Sequence, residues 1–208
     1  MRLTLFILSV SLVLVGCNQT EDSAVKTDVT SDLIATVDAE RIINADNTPG
    51  EWLSHGRTSS EQRFSPLAKI TDENVSQLGL AWYYDLPTRR GIETTPLIAD
   101  GIMYFTGSWS MVYAMDARTG KLLWEYDPKV DRAWAKNLCC DVVNRGVALW
   151  GDKTYVGTLD GRLIALDRDT GKVAWEVETR INTTDAYSIT GAPRIINGNV
   201  IIGNGGAE

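Results

Sequence analysis

The sequence predicts an all-β fold assembled from a repeated four-stranded unit. Three observations carry this. The pattern A-x-D-x-x-T-G-K-x-x-W occurs twice, once from Ala114 to Trp124 and again from Ala165 to Trp175. Each copy follows two short apolar runs with strand character, Pro96 to Gly107 in the first unit and Val147 to Gly157 in the second. Dipeptides that tolerate positive φ divide those runs, namely Asp100-Gly101 and Gly151-Asp152, and Asn197-Gly198 divides a third run that starts at Pro193. Such dipeptides form the tips of tight β-hairpins.

Taken in chain order, residues 1–17 stand apart from the fold. Arg2 supplies a positive charge, and Leu3 to Val15 is an almost continuous apolar run, too short to span a bilayer and suited to a signal peptide. Leu14-Val15-Gly16-Cys17 resembles a bacterial lipobox, in which Cys17 carries the lipid anchor. A plain secretory signal with an incidental Cys is the alternative. Both readings export the chain. Residues 18–37, rich in Asn, Thr, Asp and Ser, read as a flexible tether, so that the folded domain spans 38–208. Residues 38–46 suit a short outer helix.

Leu78 to Trp82 has the composition of the unit's last strand without a unit before it. It reads as a strand that closes a ring. Two full units follow, then the opening of a third at Pro193. Within each unit, D-x-x-T-G-K makes a tight turn in which Asp and Thr side chains bond turn amides and Gly takes the left-handed position. The Trp that ends the pattern can lie flat on the neighbouring sheet while its N–H finds a carbonyl. Repeats of roughly 40–50 residues with four strands have the size of propeller blades.

Composition limits the function. The formal net charge is −7 and the 20 Lys and Arg residues are scattered, which argues against a nucleic-acid partner. One histidine, His55, cannot build a metal site and reads as structural. Trp52, Trp109, Trp134 and Trp150 read as packing residues. Of three cysteines, Cys17 lies in the leader and Cys139 and Cys140 are adjacent.

From about Asp38 onward the chain resembles the methanol/ethanol dehydrogenase family that uses pyrroloquinoline quinone (PQQ), and within it the quinohaemoprotein alcohol dehydrogenases. The stretches that carry the likeness include Thr88-Arg-Arg-Gly91-Ile-Glu93, Cys139-Cys140-Asp-Val-Val-Asn144-Arg145-Gly146, Ile189-Thr190-Gly191-Ala192-Pro193 and Gly203-Asn-Gly205-Gly206-Ala207-Glu208. The resemblance implies an eight-bladed propeller, of which this chain holds about two blades, a closing strand and the start of a third. It implies a vicinal disulfide between Cys139 and Cys140 against one quinone face, two reduced cysteines being the alternative. Glu93 and Arg145 would meet the polar rim of the quinone, since three carboxylates call for cationic donors. Thr190 would bond a carboxylate. Gly205, Gly206 and Ala207 would let backbone approach the cofactor, and Glu208 would bind calcium.

The activity so implied is oxidation of primary alcohols to aldehydes, with a small alcohol as substrate and a c-type cytochrome as electron acceptor. An Asp base takes the hydroxyl proton, hydride passes to the quinone, and calcium polarises the quinone carbonyl. The base is expected beyond Glu208, as is any haem c domain, so the 208-residue chain alone is expected to be inactive. The expected location is the periplasmic side of a membrane, through the lipid on Cys17. Two other readings compete: a lipid-anchored propeller scaffold of outer-membrane protein assembly without catalysis, and a PQQ enzyme acting on sugars or polyols.

Overall fold

The computed structural model describes residues 35–206. The leader with Cys17, nearly all of the tether, Ala207 and Glu208 lie outside the described residues. The fold begins at Val37, which is fully buried and pairs with Gly151 through two backbone hydrogen bonds. Helix α1 (Ala39–Ile43) follows, capped by Asp38, whose carboxylate accepts from the Arg41 amide at 2.9 Å.

Two four-stranded antiparallel sheets dominate. The first joins β1 (Leu97–Ala99), β2 (Ile102–Thr106), β3 (Val112–Asp116) and β4 (Leu122–Tyr126) in that order. The second joins β5 (Ala148–Trp150), β6 (Lys153–Gly157), β7 (Arg162–Asp167) and β8 (Val173–Glu178) in the same order. Beyond β9 (Tyr187–Ser188), a hairpin of β10 (Arg194–Ile196) and β11 (Asn199–Ile201) opens the third unit. The short strand β12 (Gly205–Gly206) pairs back onto β9. The hairpin dipeptides stand where the sequence put them: Asp100 and Gly101 have φ of 53° and 76°, and Asn197 and Gly198 have 50° and 76°.

The period-2 pattern explains the layering. Leu97, Ala99, Tyr104, Val112 and Ala114 of the first sheet meet Leu149, Val156, Ile164 and Leu166 of the second in one buried cluster. The opposite face of the first sheet carries Phe105, Tyr113 and Met115. On the far face of the second sheet, Ala148, Tyr155 and Ala165 pack against Ile195 and Val200 of the third unit. Both faces of β3 and β7 are covered, which matches their nearly unbroken apolar sequence.

The turns are built as the repeat requires. Asp116 accepts from the Thr119 amide at 2.7 Å and its hydroxyl at 2.8 Å, and Asp167 does the same for Thr170 at 3.0 and 2.7 Å. Each turn then receives a tryptophan from the preceding unit. Trp124 donates from Nε1 to the carbonyl of Arg168 at 2.9 Å and lies on Gly171. Trp82 donates to the carbonyl of Ala117 at 3.2 Å and lies on Gly120. Residues 78–82 pair with no strand among the described residues, yet Trp82 already occupies its docking seat. Trp175 in β8 is 41% exposed.

Candidate functional site

Hydrogen bonds tie the approach to β5 to both neighbouring sheets. Residues 139–146 lead into it, and the segments 88–95 and 187–190 flank it. Asn144 is buried. Its amide donates to the carbonyl of Gly157 at 2.7 Å and to Ser110 Oγ at 3.0 Å, and its Oδ1 accepts from the Gly146 amide at 3.1 Å. Its own carbonyl accepts from Thr106 Oγ1 at 3.0 Å. Next in line, the Arg145 amide donates to the Thr190 carbonyl at 2.9 Å, and the Arg145 carbonyl accepts from the Thr95 amide at 3.1 Å. The segments that precede β1 and follow β9 therefore fix the backbone of Arg145.

That backbone aims the Arg145 side chain at two of the sites expected from sequence. Its Nη2 pairs with Glu93 Oε2 at 2.8 Å, and its Nη1 donates to Thr190 Oγ1 at 3.0 Å. Guanidinium and carboxylate are 40% and 45% exposed, so this ion pair sits at the rim and presents polar edges to a ligand. Arg145, Glu93 and Thr190 are thus brought together from three segments. Ile189 places Thr190: its side chain fills the space over Gly157, where a Cβ would clash.

The adjacent cysteines lie six and five residues before Arg145 on the same approach, both exposed, with their sulfurs in direct contact. The chain on either side of them enters a buried cluster of Val130, Val142 and Leu159 with Trp109, Trp134 and Leu138. The Trp109 amide donates to the Val142 carbonyl at 2.9 Å, and the guanidinium of Arg132 lies over the Trp109 ring at 4.2 Å. A second ion pair crosses the rim, from Arg90 to Asp141 at 3.1 Å. Gly205 and Gly206 pair with Ser188 and Tyr187, two to three residues from Thr190. Ala207 and Glu208 lie outside the described residues, so the expected calcium ligand has no described position. Among the described residues no group of three His, Cys, Asp or Glu side chains could hold a metal ion.

His55 behaves as a structural residue. It is half-buried and its Nε2 contacts the Arg63 guanidinium. Burial first, then the charges of Arg194 and Arg63, pull its pKa below the ordinary value. Trp52, Trp109, Trp134 and Trp150 all pack against buried clusters, as expected.

The family model for the "Glucose/ethanol/alcohol dehydrogenase, beta-propeller domain" that bears the name of PQQ matches residues 52–208. The chain belongs to this family. It is 60% identical over 178 residues to the quinohemoprotein alcohol dehydrogenase ADH-IIG of Pseudomonas putida, which covers 86% of this chain and 25% of that protein. The solved structure of ADH-IIG superposes with a TM-score of 0.82 over 84% of this chain and 26% of its own. The 1-butanol dehydrogenase (cytochrome c) of Thauera butanivorans is 57% identical over 159 residues, covering 76% of this chain and 23% of that one. The chain thus spans about a quarter of the length of these relatives.

Sequence reading leaves several residues around this rim unassigned. Asn144 lies in the Cys139 to Gly146 stretch with no role that the sequence alone assigns. A polar residue between two valines and a strand start was the available signal. Nothing in the sequence connected Arg90 with Asp141 or Arg132 with Trp109.

Proposed function

We propose that this chain supplies one wall of the cofactor site of a PQQ-dependent alcohol dehydrogenase that oxidises primary alcohols and passes electrons to a c-type cytochrome. The observation that carries the reading is the Arg145 guanidinium, held at an exposed rim between Glu93 and Thr190, five residues along the chain from Cys140. The donor set fits the cofactor. PQQ is planar and anionic, and Arg145 offers a rigid fork of donors that suits carboxylates, with a hydroxyl beside it. When bound, PQQ supplies the two-electron redox chemistry.

The chain's own residues bind and orient. Arg145 donates to anionic oxygens and Glu93 holds its fork in register. Thr190 donates one further hydrogen bond. We read Cys139 and Cys140 as a disulfide that forms a flat, water-excluding wall. Gly205 and Gly206 leave room for close approach of the backbone. The substrate proton needs a base, a role we assign to an Asp outside this chain. Calcium at Glu208, a lipid on Cys17 and a periplasmic location belong to the same reading. The alternative of a non-catalytic scaffold has less support, because the relatives with high identity carry dehydrogenase names and a scaffold has no use for a paired arginine five residues along the chain from adjacent cysteines.

The test is a titration of PQQ, followed by quenching of tryptophan fluorescence, into this chain and into the chain completed with the remaining blades of ADH-IIG. Replacement by lysine keeps the charge but loses the fork, so Arg145→Lys is expected to weaken binding by roughly tenfold. Affinity that is indifferent to both Arg145→Lys and Glu93→Gln would sink the proposal.

A further inference from the structure

We infer that Asn144 is a positioning residue for the quinone site: its buried amide locks two neighbouring blades together at the point from which Arg145 projects. The inference rests on the reading of Arg145 as a cofactor ligand and adds the residue that fixes it.

The bonding of Asn144 is saturated. Both amide hydrogens are used, one on the Gly157 carbonyl of β6 and one on Ser110 Oγ of the first blade, and the side-chain oxygen takes the Gly146 amide. Ser110 Oγ also accepts from the Leu159 amide at 3.2 Å, so the same hydroxyl serves both blades. The residue is 1% exposed, and a buried polar group fully satisfied in this way specifies one geometry, while any vacancy is expensive. The Arg145 side chain, 40% exposed at the rim, meets Glu93 and Thr190 at its tip. The point from which it projects is set by the Arg145 backbone bonds to Thr95 and Thr190 together with the Asn144 lock one residue before and its bond to the Gly146 amide one residue after. Only an amide satisfies this set. Aspartate has the same shape, but its second oxygen would face the Gly157 carbonyl oxygen, and that contact becomes attractive only once the carboxyl carries a proton.

The test uses Asn144→Asp and Ser110→Ala, in this chain and in the ADH-IIG-completed chain. The groups in hydrogen-bond reach of the Asn144 amide are Ser110, Gly157 and Gly146, none of which titrates. The charged side chains on packed neighbouring elements pair with one another, Arg145 with Glu93, Asp141 with Arg90 and Asp160 with Arg162. A change between pH 8 and pH 5 that appears only in Asn144→Asp therefore reports the new carboxyl. At pH 8, hydrogen exchange in residues 139–146 is expected to accelerate in both variants, more in Asn144→Asp, while the rest of the blades keeps its protection. PQQ affinity of Asn144→Asp is expected to fall about ten- to a hundredfold at pH 8, the range for one unsatisfied buried polar group, and to recover most of that loss at pH 5. Ser110→Ala is expected to lose less, at both pH values alike. Exchange like that of the unaltered chain in both variants overturns the inference, as does accelerated exchange with unchanged affinity or a pH-independent loss in Asn144→Asp. If the unaltered completed chain binds no PQQ, the proposed function fails, and the exchange data alone then decide whether Asn144 locks the blades.

Discussion

The seat of the docking tryptophan can be tested with three alanine substitutions that share one backbone conformation. Gly171 has φ of 68°, and a Cβ added there would stand 2.6 Å from the Trp124 ring. Gly120 has φ of 71° and would clash with Trp82 at 2.5 Å. Gly101 has φ of 76° with nothing within 4 Å. All three lose the freedom of glycine in the left-handed region, which costs roughly 1–2 kcal/mol for an alanine. Gly101→Ala should show that loss alone. Gly171→Ala must also push Trp124 off the turn and stretch its bond to the Arg168 carbonyl, which adds about 1 kcal/mol for the hydrogen bond and a similar amount for disturbed packing. The expected sum is about 3–4 kcal/mol, roughly twice the loss at Gly101. Urea unfolding of the 208-residue chain followed by circular dichroism gives these differences. Adding Trp124→Leu removes the obstacle, so Gly171→Ala in that background should shrink to the value seen at Gly101. Equal losses at Gly101 and Gly171, or no coupling between Gly171 and Trp124, would refute the docking argument.

Three further outcomes follow from the ionisable groups. Arg168 is fully buried with Nη2 on the Ala35 carbonyl at 2.6 Å and on Asp100 at 3.3 Å, while its Nε and Nη1 have no partner. Arg168→Met should be neutral within about 1 kcal/mol, whereas Asp100→Asn, which strips the buried cation of its counter-charge, should cost about 3 kcal/mol in the same urea assay. Hydrogen bonds from Arg180 draw the Glu178 carboxylate down to about 2. Because the folded pKa lies below the unfolded one, its contribution is present above the ordinary value of 4.5 and is lost as pH falls toward 2, so Glu178→Gln should flatten the acid limb of the stability profile. His55 titrates below 6.5 in the fold through burial and the nearby Arg194 and Arg63 charges. The unfolded chain therefore takes up the proton first. Stability should decline as pH drops through 6.5 and level off once the folded imidazole is also protonated, and a decline that persists in His55→Gln would assign it to other groups.

The parts of the fold that the sequence disclosed are those governed by local chemistry. The left-handed dipeptides, the Asp and Thr of each turn and the closing tryptophans act within a few residues or on a repeated neighbour, so repetition exposed them. The assembly of Arg145 with Glu93 and Thr190 was legible only because motif resemblance marked each residue. No spacing connects positions on three separate segments, and tertiary packing alone brings them within 3.0 Å. The Asn144 bonds and the Arg90–Asp141 pair escaped notice for the same reason, since their partners lie on other strands or loops. Leu78 to Trp82 shows the opposite case. Its composition declared a strand, but a strand needs a neighbour to bond, and the described residues offer none.

The seam between the first two blades has a consequence for recombination. Asn144 bonds to Ser110 on one side and Gly157 on the other, and the arginine beside it faces Thr190 from the approach to the next unit. The natural module for shuffling between relatives is therefore not a blade with its four strands. Crossovers placed between blades would part Arg145 from its partners and scramble the site. Crossovers placed in the D-x-x-T-G-K turns are no better: a cut at Asp116 to Lys121 breaks the β3–β4 pairing and parts Glu93 and Ser110 from Arg145 and Asn144, and one at Asp167 to Lys172 breaks the β7–β8 pairing and parts Arg145 from Thr190. The segment to exchange whole runs from 93 to 190, which carries Glu93, Ser110, Asn144, Arg145, Gly157 and Thr190 together.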